Sequence, residues 1–313
     1  MNATGPASPR TPSAATRRYL HVLAWTTWGL CVCLLFAGAL VTSYNVGMAV
    51  PDGATTFGQT LWSYNFFGQP FGVVVEHTHR LWGMAVGLAA LVLYVSIFFL
   101  DERPYVRWAA TIAIWLVVGQ GLLGRYRVDK NAEYGDVLKA VHGGFAQLVF
   151  ASLTALVAMT SAAWRNATPL PHPRAPWLRR FTLAMAAAAY VQIVLGVMLR
   201  HRNQLFHVHA TLAYGLALAA LWLGAQILLD GEWRRRFGTL ALLLGGCLFA
   251  QVVLGNAAAI STGLTPPELR PPVRNVTALT TSFHLLVGSF FFAATLAIAL
   301  FSFRQLRPAE ANA

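Results

Sequence analysis

Glu76, His77, His79 and Arg80 stand together in VVVEHTHRLWG (73–83), which opens a segment otherwise apolar through Leu100. Ionisable groups in an apolar run of membrane-spanning length are costly and are kept mainly where they do chemistry. The types present can move protons, through the carboxylate and imidazoles, or bind a metal through imidazole. A single histidine here would be read as a packed or interfacial side chain sooner than as a ligand. The reading therefore turns on partners elsewhere in the chain.

Those partners come from an internal repeat. His77/His79 recurs as His207/His209, and LWGMAVGLAALVLY after the first aligns with TLAYGLALAALWLG after the second, Leu88–Leu91 matching Leu218–Leu221. His142, opening HGGFAQLVFA, corresponds to His284, opening HLLVGSFFFA. QGLLG (120–124) matches QVVLG (251–255), whereas QIVLG (192–196) aligns only loosely with AGALV at 37–41. Similarity among apolar helices is easily accidental, so the matched histidines carry the repeat.

The elements that must position these residues are transmembrane helices. The 313 residues are 57% hydrophobic and 11% charged, a polytopic membrane composition that excludes a soluble domain. Apolar stretches near the roughly 20 residues needed to span fall at 20–43, 73–100, 108–124, 140–163, 181–199, 207–229, 238–260 and 278–303. The third and fifth are short, so their ends extend into Arg-bearing loops. The expected fold is all-α, with eight transmembrane helices in two pseudo-symmetric four-helix bundles, 20–163 and 181–303, related by a parallel repeat. Residues 164–180 form a basic cytoplasmic linker, 1–19 a disordered cytoplasmic tail and 304–313 a second tail. A signal peptide ending near Ala37–Ala39 is the alternative for the first span, but Leu20–Ser43 is long enough to cross.

Eight spans return both termini to one side. The tails and the loops on that side hold 14 Lys/Arg against eight opposite, apart from Arg80 within its helix, so the termini are cytoplasmic. The opposite loops keep Arg125, Arg127, Lys130, Lys139, Arg200, Arg202, Arg270 and Arg274, either ordinary solvated charge or a docking face for something anionic. Net charge +12 points to no nucleic-acid role in such a chain. Cys31, Cys33 and Cys247 all lie in spans, which excludes a disulfide in the outer loops. The expected setting is a bacterial plasma membrane.

His79, His142, His209 and His284 thus open the second, fourth, sixth and eighth helices from the same side, His79 roughly 10 Å inside its helix start. Paired histidines from neighbouring helices, without Cys or carboxylate companions, suit axial ligation of haem better than zinc, which wants three or four ligands. Propionates would need cations, for which Arg80, Arg125, Arg127, Arg200 and Arg202 are candidates. Gly83, Gly143, Gly144, Gly215 and Gly288 lie near the histidines in sequence and would make room for a flat macrocycle; close helix packing explains them as well. His77 and His207 point about 200° away from their neighbours and are read as interfacial or supporting. His21, His172 and His201 are read as solvated.

The halves differ at one place: Glu76 and Arg80 become Phe206 and Ala210. Either Glu76 only pairs with a nearby Arg, or it exchanges protons beside one haem, making that half catalytic and the other electron-carrying.

At these residues the sequence resembles the haem A synthase family: E-x-x-H-R (Glu76, His79, Arg80), histidines opening helices four, six and eight, LVTSYNVGMAVPDGATTFG (41–59) as the first outer loop, and QGLLGRYRV (120–128). The resemblance implies oxidation of the C8 methyl of haem O to the formyl of haem A through hydroxylated intermediates, with oxygen from water. It implies a haem b cofactor between His209 and His284, haem O between His79 and His142, and Glu76 as the catalytic acid. It also implies haem O synthase upstream, an unidentified electron acceptor, and service to cytochrome oxidase assembly; self-association is compatible with it. Ala210 departs from the family's frequent Arg, leaving Arg200 or Arg202 for propionates in that half, and the paired loop cysteines of some members are absent. The alternatives are a two-haem membrane cytochrome b passing electrons, for instance to quinone, and a non-enzymatic haem transporter. A transporter would carry a Trp-rich outer loop, and here those loops hold only Trp62.

Overall fold

A computed structural model describes residues 12–202, 205–263 and 271–309; residues 1–11 of the expected tail, residues 310–313 and Arg270 lie outside the described residues. The chain is all-α and multi-pass, with eight helices long and apolar enough to cross a membrane. They are α1 (Ala14–Ser43), α2 (Phe71–Leu100), α3 (Pro104–Asp129), α4 (Asn131–Thr160), α6 (Ala175–Arg202), α7 (Phe206–Leu229), α8 (Gly231–Gly263) and α9 (Pro271–Gln305). A one-turn helix, α5 (Ala162–Arg165), joins the halves. Large apolar side chains such as Trp108, Trp115 and Phe249 remain exposed, as lipid-facing residues do.

Helix limits are set by local chemistry. Ser13 Oγ accepts the Thr16 N–H at 3.1 Å, so α1 begins inside the expected 1–19 tail. Tyr19 then ties this extension to α2 through Ser96 Oγ at 3.2 Å. Pro104 opens α3 at a position where its missing N–H costs nothing. Helix α4 starts at Asn131 rather than 140, kinked at Tyr134, because Lys130–Glu133 and Lys139–Asp136 pairs support helix beyond the apolar span. Asp230 Oδ1 caps α8 by accepting the N–H groups of Glu232 and Trp233, both at 3.0 Å.

The 164–180 connection is structured. Within it β1 (Leu170–His172) pairs in parallel with β2 (Leu306–Pro308), joining it to the end of α9. Trp233 is fully buried beside it, against His172.

Two hydrophobic cores correspond to α1–α4 and α6–α9, but they are not independent bundles. Helix α9 packs on α8 and α6 of its own half and on α1 and α4 of the other. Its Ala293 and Phe290 belong to the first core, where Phe290 and Phe150 both stack on Trp28, at 5.8 and 5.1 Å between ring centroids. Glycines Gly143 and Gly144 face Val197 and Val194 of α6, so they serve close packing between halves. Phe150, fully buried at this seam, gives a direct test. Phe150→Ala is expected to cost about 3 kcal/mol through the cavity it leaves, read as a lower unfolding midpoint of the protein in detergent.

Candidate functional site

The acid–base cluster that opens α2 is turned toward the loop 44–70. That loop leaves α1 through Asn45 at φ 53° and turns again at Gly58 and Gly68, with φ of 77° and 76°. Arg80 Nη1 donates to the carbonyls of Asp52 and Thr55, at 2.5 and 2.7 Å, and Nη2 donates to Val50 O at 3.1 Å. The same guanidinium pairs with Glu76 Oε1 at 2.9 Å, one turn earlier on the helix. Glu76 is 2% exposed, and its second oxygen accepts the Val50 N–H at 2.9 Å. His77 is fully buried, with Nδ1 3.0 Å from Thr56 Oγ1 and its ring against Tyr64 and Phe66.

Glu76, His77 and Arg80 therefore fasten one loop by four backbone groups of three residues and by one hydroxyl. The loop's own turn is fixed by Asp52, whose carboxylate accepts from Gly58 N–H and Thr55 hydroxyl. The Gly58 N–H first, then the Thr55 hydroxyl and the Arg80 charge, hold the Asp52 carboxyl below the ordinary carboxylate range. Because that pKa is depressed, the stabilisation is present above the unfolded-state value and is lost only as pH falls through the folded one.

The four histidines are set by a device that recurs in every helical hairpin. A methyl placed on Gly38 of α1 would sit 2.9 Å from Cε1 of His79 on α2. The same relation joins Gly124 to His142 at 3.1 Å, Gly196 to His209 at 3.0 Å and Gly255 to His284 at 2.9 Å. Each ring thus lies against bare backbone of the preceding helix, where any larger residue would collide with it. The reason is legible in helix geometry. The carbonyl four residues before each glycine accepts that glycine's N–H, and without a Cβ an imidazole can approach its free lone pair. The rings of His79, His209 and His284 are turned toward the main chain of Leu34, Gln192 and Gln251 accordingly. Their Nδ1 atoms are buried and make no in-range hydrogen bond among the described residues.

The glycines that meet the rings are not those that lie near the histidines in sequence. Gly83 and Gly288 meet Leu34 and Gln251, Gly143 and Gly144 meet α6, and nothing lies within 4 Å of a Cβ built on Gly215. The residues against the rings are Gly38, Gly124, Gly196 and Gly255. The signal was present in QGLLG, QIVLG and QVVLG, but the first helix aligns as LLFAG (34–38), not AGALV. The molecule is a fourfold repeat of a helical hairpin rather than only a twofold repeat of a bundle.

The histidines pair within halves. His209 and His284 face each other with ring centroids 6.4 Å apart and planes at 74°. Two metal–nitrogen bonds of about 2 Å plus two ring half-widths of about 1 Å make about 6 Å, so one metal between them fits. His79 and His142 lie near enough to interact electrostatically. A three-ligand His/Cys/Asp/Glu metal cluster does not occur among the described residues. The donor set is two imidazoles per half, and the spacing of the C-terminal pair suits axial ligation of a flat metal macrocycle.

Of the expected propionate cations, Arg80 has its guanidinium committed to the loop, and Arg125 is exposed beside Asp129. Arg127 and Arg200, one from each half, line a cavity of about 300 Å³ with Lys139 and His201. Arg127 donates to Gly47 O at 3.1 Å; Arg200 reaches across to Ala39 O at 3.2 Å and to Ser43 Oγ on α1. Neither has a carboxylate within ion-pair distance among the described residues. Arg202 lines the adjoining cavity. His207 is exposed, whereas His21, expected to be solvated, bonds Thr160 Oγ1 at 3.1 Å and accepts from Trp25.

Fold and site together define a polytopic membrane protein with two opposed histidine pairs, one beside a carboxylate–guanidinium cluster. Residues 66–211 match the model of the COX15-CtaA family, described as cytochrome oxidase assembly protein. The chain is also 31% identical over 178 residues to a protein named Heme A synthase from Shouchella clausii (strain KSM-K16), covering 54% of this chain and 55% of the relative. It thus matches about half the length of that curated relative.

The loop clamp is open to a direct test. Arg80→Leu removes all four of its bonds and is expected to make segment 44–70 cleavable by added protease in membrane vesicles, while the eight spans stay intact on a gel.

Proposed function

We propose that this chain is a haem A synthase, oxidising the C8 methyl of haem O to a formyl group. The observation that carries the proposal is the pair of opposed histidine sets, of which only one has an acid and an arginine beside it. The family match and the relative's name support the same reading. In it, His209 and His284 hold haem b, the resident group, which supplies an electron exit. His79 and His142 hold haem O, the substrate. Arg127 and Arg200 are the cations best disposed for propionates, since they are half-buried, unpaired with carboxylates and open to one cavity.

Overall, methyl plus one water gives formyl, four protons and four electrons, so the site must take up protons and pass electrons to an acceptor outside the chain. Glu76 is the proton acceptor in this account. Arg80 and the Val50 N–H orient its carboxylate in a buried place where water is scarce. As a carboxylate it can take a proton from water or substrate at either oxygen, at the cost of weakening its bond to Arg80 or Val50. The loop covers this face and limits solvent access.

The test is expression in a host that makes haem O but not haem A, followed by extraction and chromatography of the haems. Haem A and hydroxylated haem O are expected; their absence with correctly inserted protein refutes the synthase and leaves the electron-carrying cytochrome. Glu76→Gln is expected to retain the haem b spectrum and to lower conversion by at least about a hundredfold, whereas His209→Ala loses that spectrum. Arg80→Leu separates two roles of the acid. If Glu76 only fastens the loop, Arg80→Leu lowers conversion as much as Glu76→Gln; if it takes the proton, Glu76→Gln is the more severe.

A further inference from the structure

The fourfold hairpin repeat is uneven at one position. Four residues before the ring-facing glycine stands Gln120, Gln192 or Gln251 in three hairpins and Leu34 in the first. Gln120 Nε2 donates to the main-chain carbonyl of His142 at 3.1 Å and lies 3.3 Å from both its ring nitrogens. Gln192 Nε2 donates to His209 O at 2.9 Å and lies 3.4 Å from Nε2 of that ring. Gln251 Nε2 lies 2.8 Å from the place a Cβ would take on Gly288, one turn beyond His284. Leu34 takes the matching place in the first hairpin, with Cδ1 3.9 Å from the same point on Gly83, one turn beyond His79. There it offers methyl groups where the others offer an amide.

In a membrane interior an amide bond to a helix carbonyl is not exchanged with water, so it fixes the helix register and the ring carried on it. Groups that orient a metal-ligating histidine contribute strongly to retention of the metal. Both histidines of the C-terminal pair have a glutamine in this position; of the N-terminal pair only His142 has one. In all three glutamines Oε1 is buried without a partner among the described residues; Gln120 and Gln192 are oriented by their bonds to the histidine, and Gln251 by its place against Gly288 on the helix that carries His284.

We infer that Gln120, Gln192 and Gln251 are positioning residues for their histidines, and that Leu34 leaves His79 as the exchangeable ligand, so that the His79/His142 pocket releases its tetrapyrrole while the His209/His284 pocket keeps its own. The inference rests on the reading of these histidines as haem ligands. It assigns retention and turnover to specific side chains rather than to the halves as such.

The test uses the full-length protein purified in detergent and mixed with excess apomyoglobin as haem acceptor, following absorbance as haem leaves, with low-temperature electron paramagnetic resonance of the low-spin ferric signals. The wild type is expected to lose one haem fast and one slowly. Gln192→Leu and Gln251→Leu should each speed the slow phase by at least roughly tenfold and shift the low-spin signal, and Leu34→Gln should slow the fast phase by a similar factor. Unchanged phases and signals in both Gln→Leu variants, or in Leu34→Gln, overturn the inference while the ligand reading stands. Retention of the whole wild-type spectrum in His209→Ala overturns the ligand reading and this inference with it. Should Gln192→Leu fail to accumulate, Gln192→Glu keeps the shape but removes the amide donor, and the same shift is required of it.

Discussion

The contact between an imidazole and the bare backbone of a glycine one helix away is the constraint on which the rest of this structure depends. It occurs four times, at Gly38–His79, Gly124–His142, Gly196–His209 and Gly255–His284. The protein brings each ring against main chain that only a glycine leaves accessible. That close approach sets where the two helices of each hairpin cross, and with it the depth at which all four histidines lie. Close approach of the helices and orientation of the ligand are thus one requirement.

The two halves are held together at the same end of the bundle. Arg200 crosses from α6 to Ala39 and Ser43 on α1, and Ser43 bonds Ser282 of α9 at 2.7 Å. Deeper in the bundle the seam is aromatic, with Phe150 and Phe290 on Trp28. A cavity lined from both halves, carrying Arg127 and Arg200 without carboxylate partners, lies at this polar end. In the proposed function this cavity, where Arg127, Lys139 and Arg200 outnumber the single carboxylate of Asp136, is the end of the bundle suited to propionates.

Asymmetry enters at two places in the repeat, the start of α2 and the residue four before the ring-facing glycine. Glu76 and Arg80 replace what are Phe206 and Ala210 in the second half, and in the structure they fasten the loop 44–70 while holding a carboxylate in a buried place. Fastening a loop and taking a proton are compatible roles, since the bonds that hold the loop also orient the carboxylate. Leu34 replaces the glutamine of the other hairpins. Both departures fall in the hairpin that carries His79, so the repeat is broken where a substrate would have to enter, react and leave.

Much of this was determined by the sequence alone. Burial of a charge in hydrocarbon is costly wherever it happens, so Glu76 and the four histidines stood out from their apolar surroundings without any coordinates. Eight spans, the matched histidines and the difference between the halves follow from hydropathy and alignment, which are local properties of the chain. The extent of the helices did not follow, because Ser13, Lys130–Glu133 and Lys139–Asp136 extend α1 and α4 into polar sequence that hydropathy assigns to tail or loop. Tertiary structure decided which glycines meet the rings: Gly38, Gly124, Gly196 and Gly255, each on the preceding helix. It also decided that Arg80 serves the loop while Arg127 and Arg200 face the cavity. The physical reason is the same for each: a histidine's type and depth are written along its own helix, but what its ring touches depends on where a second helix crosses it.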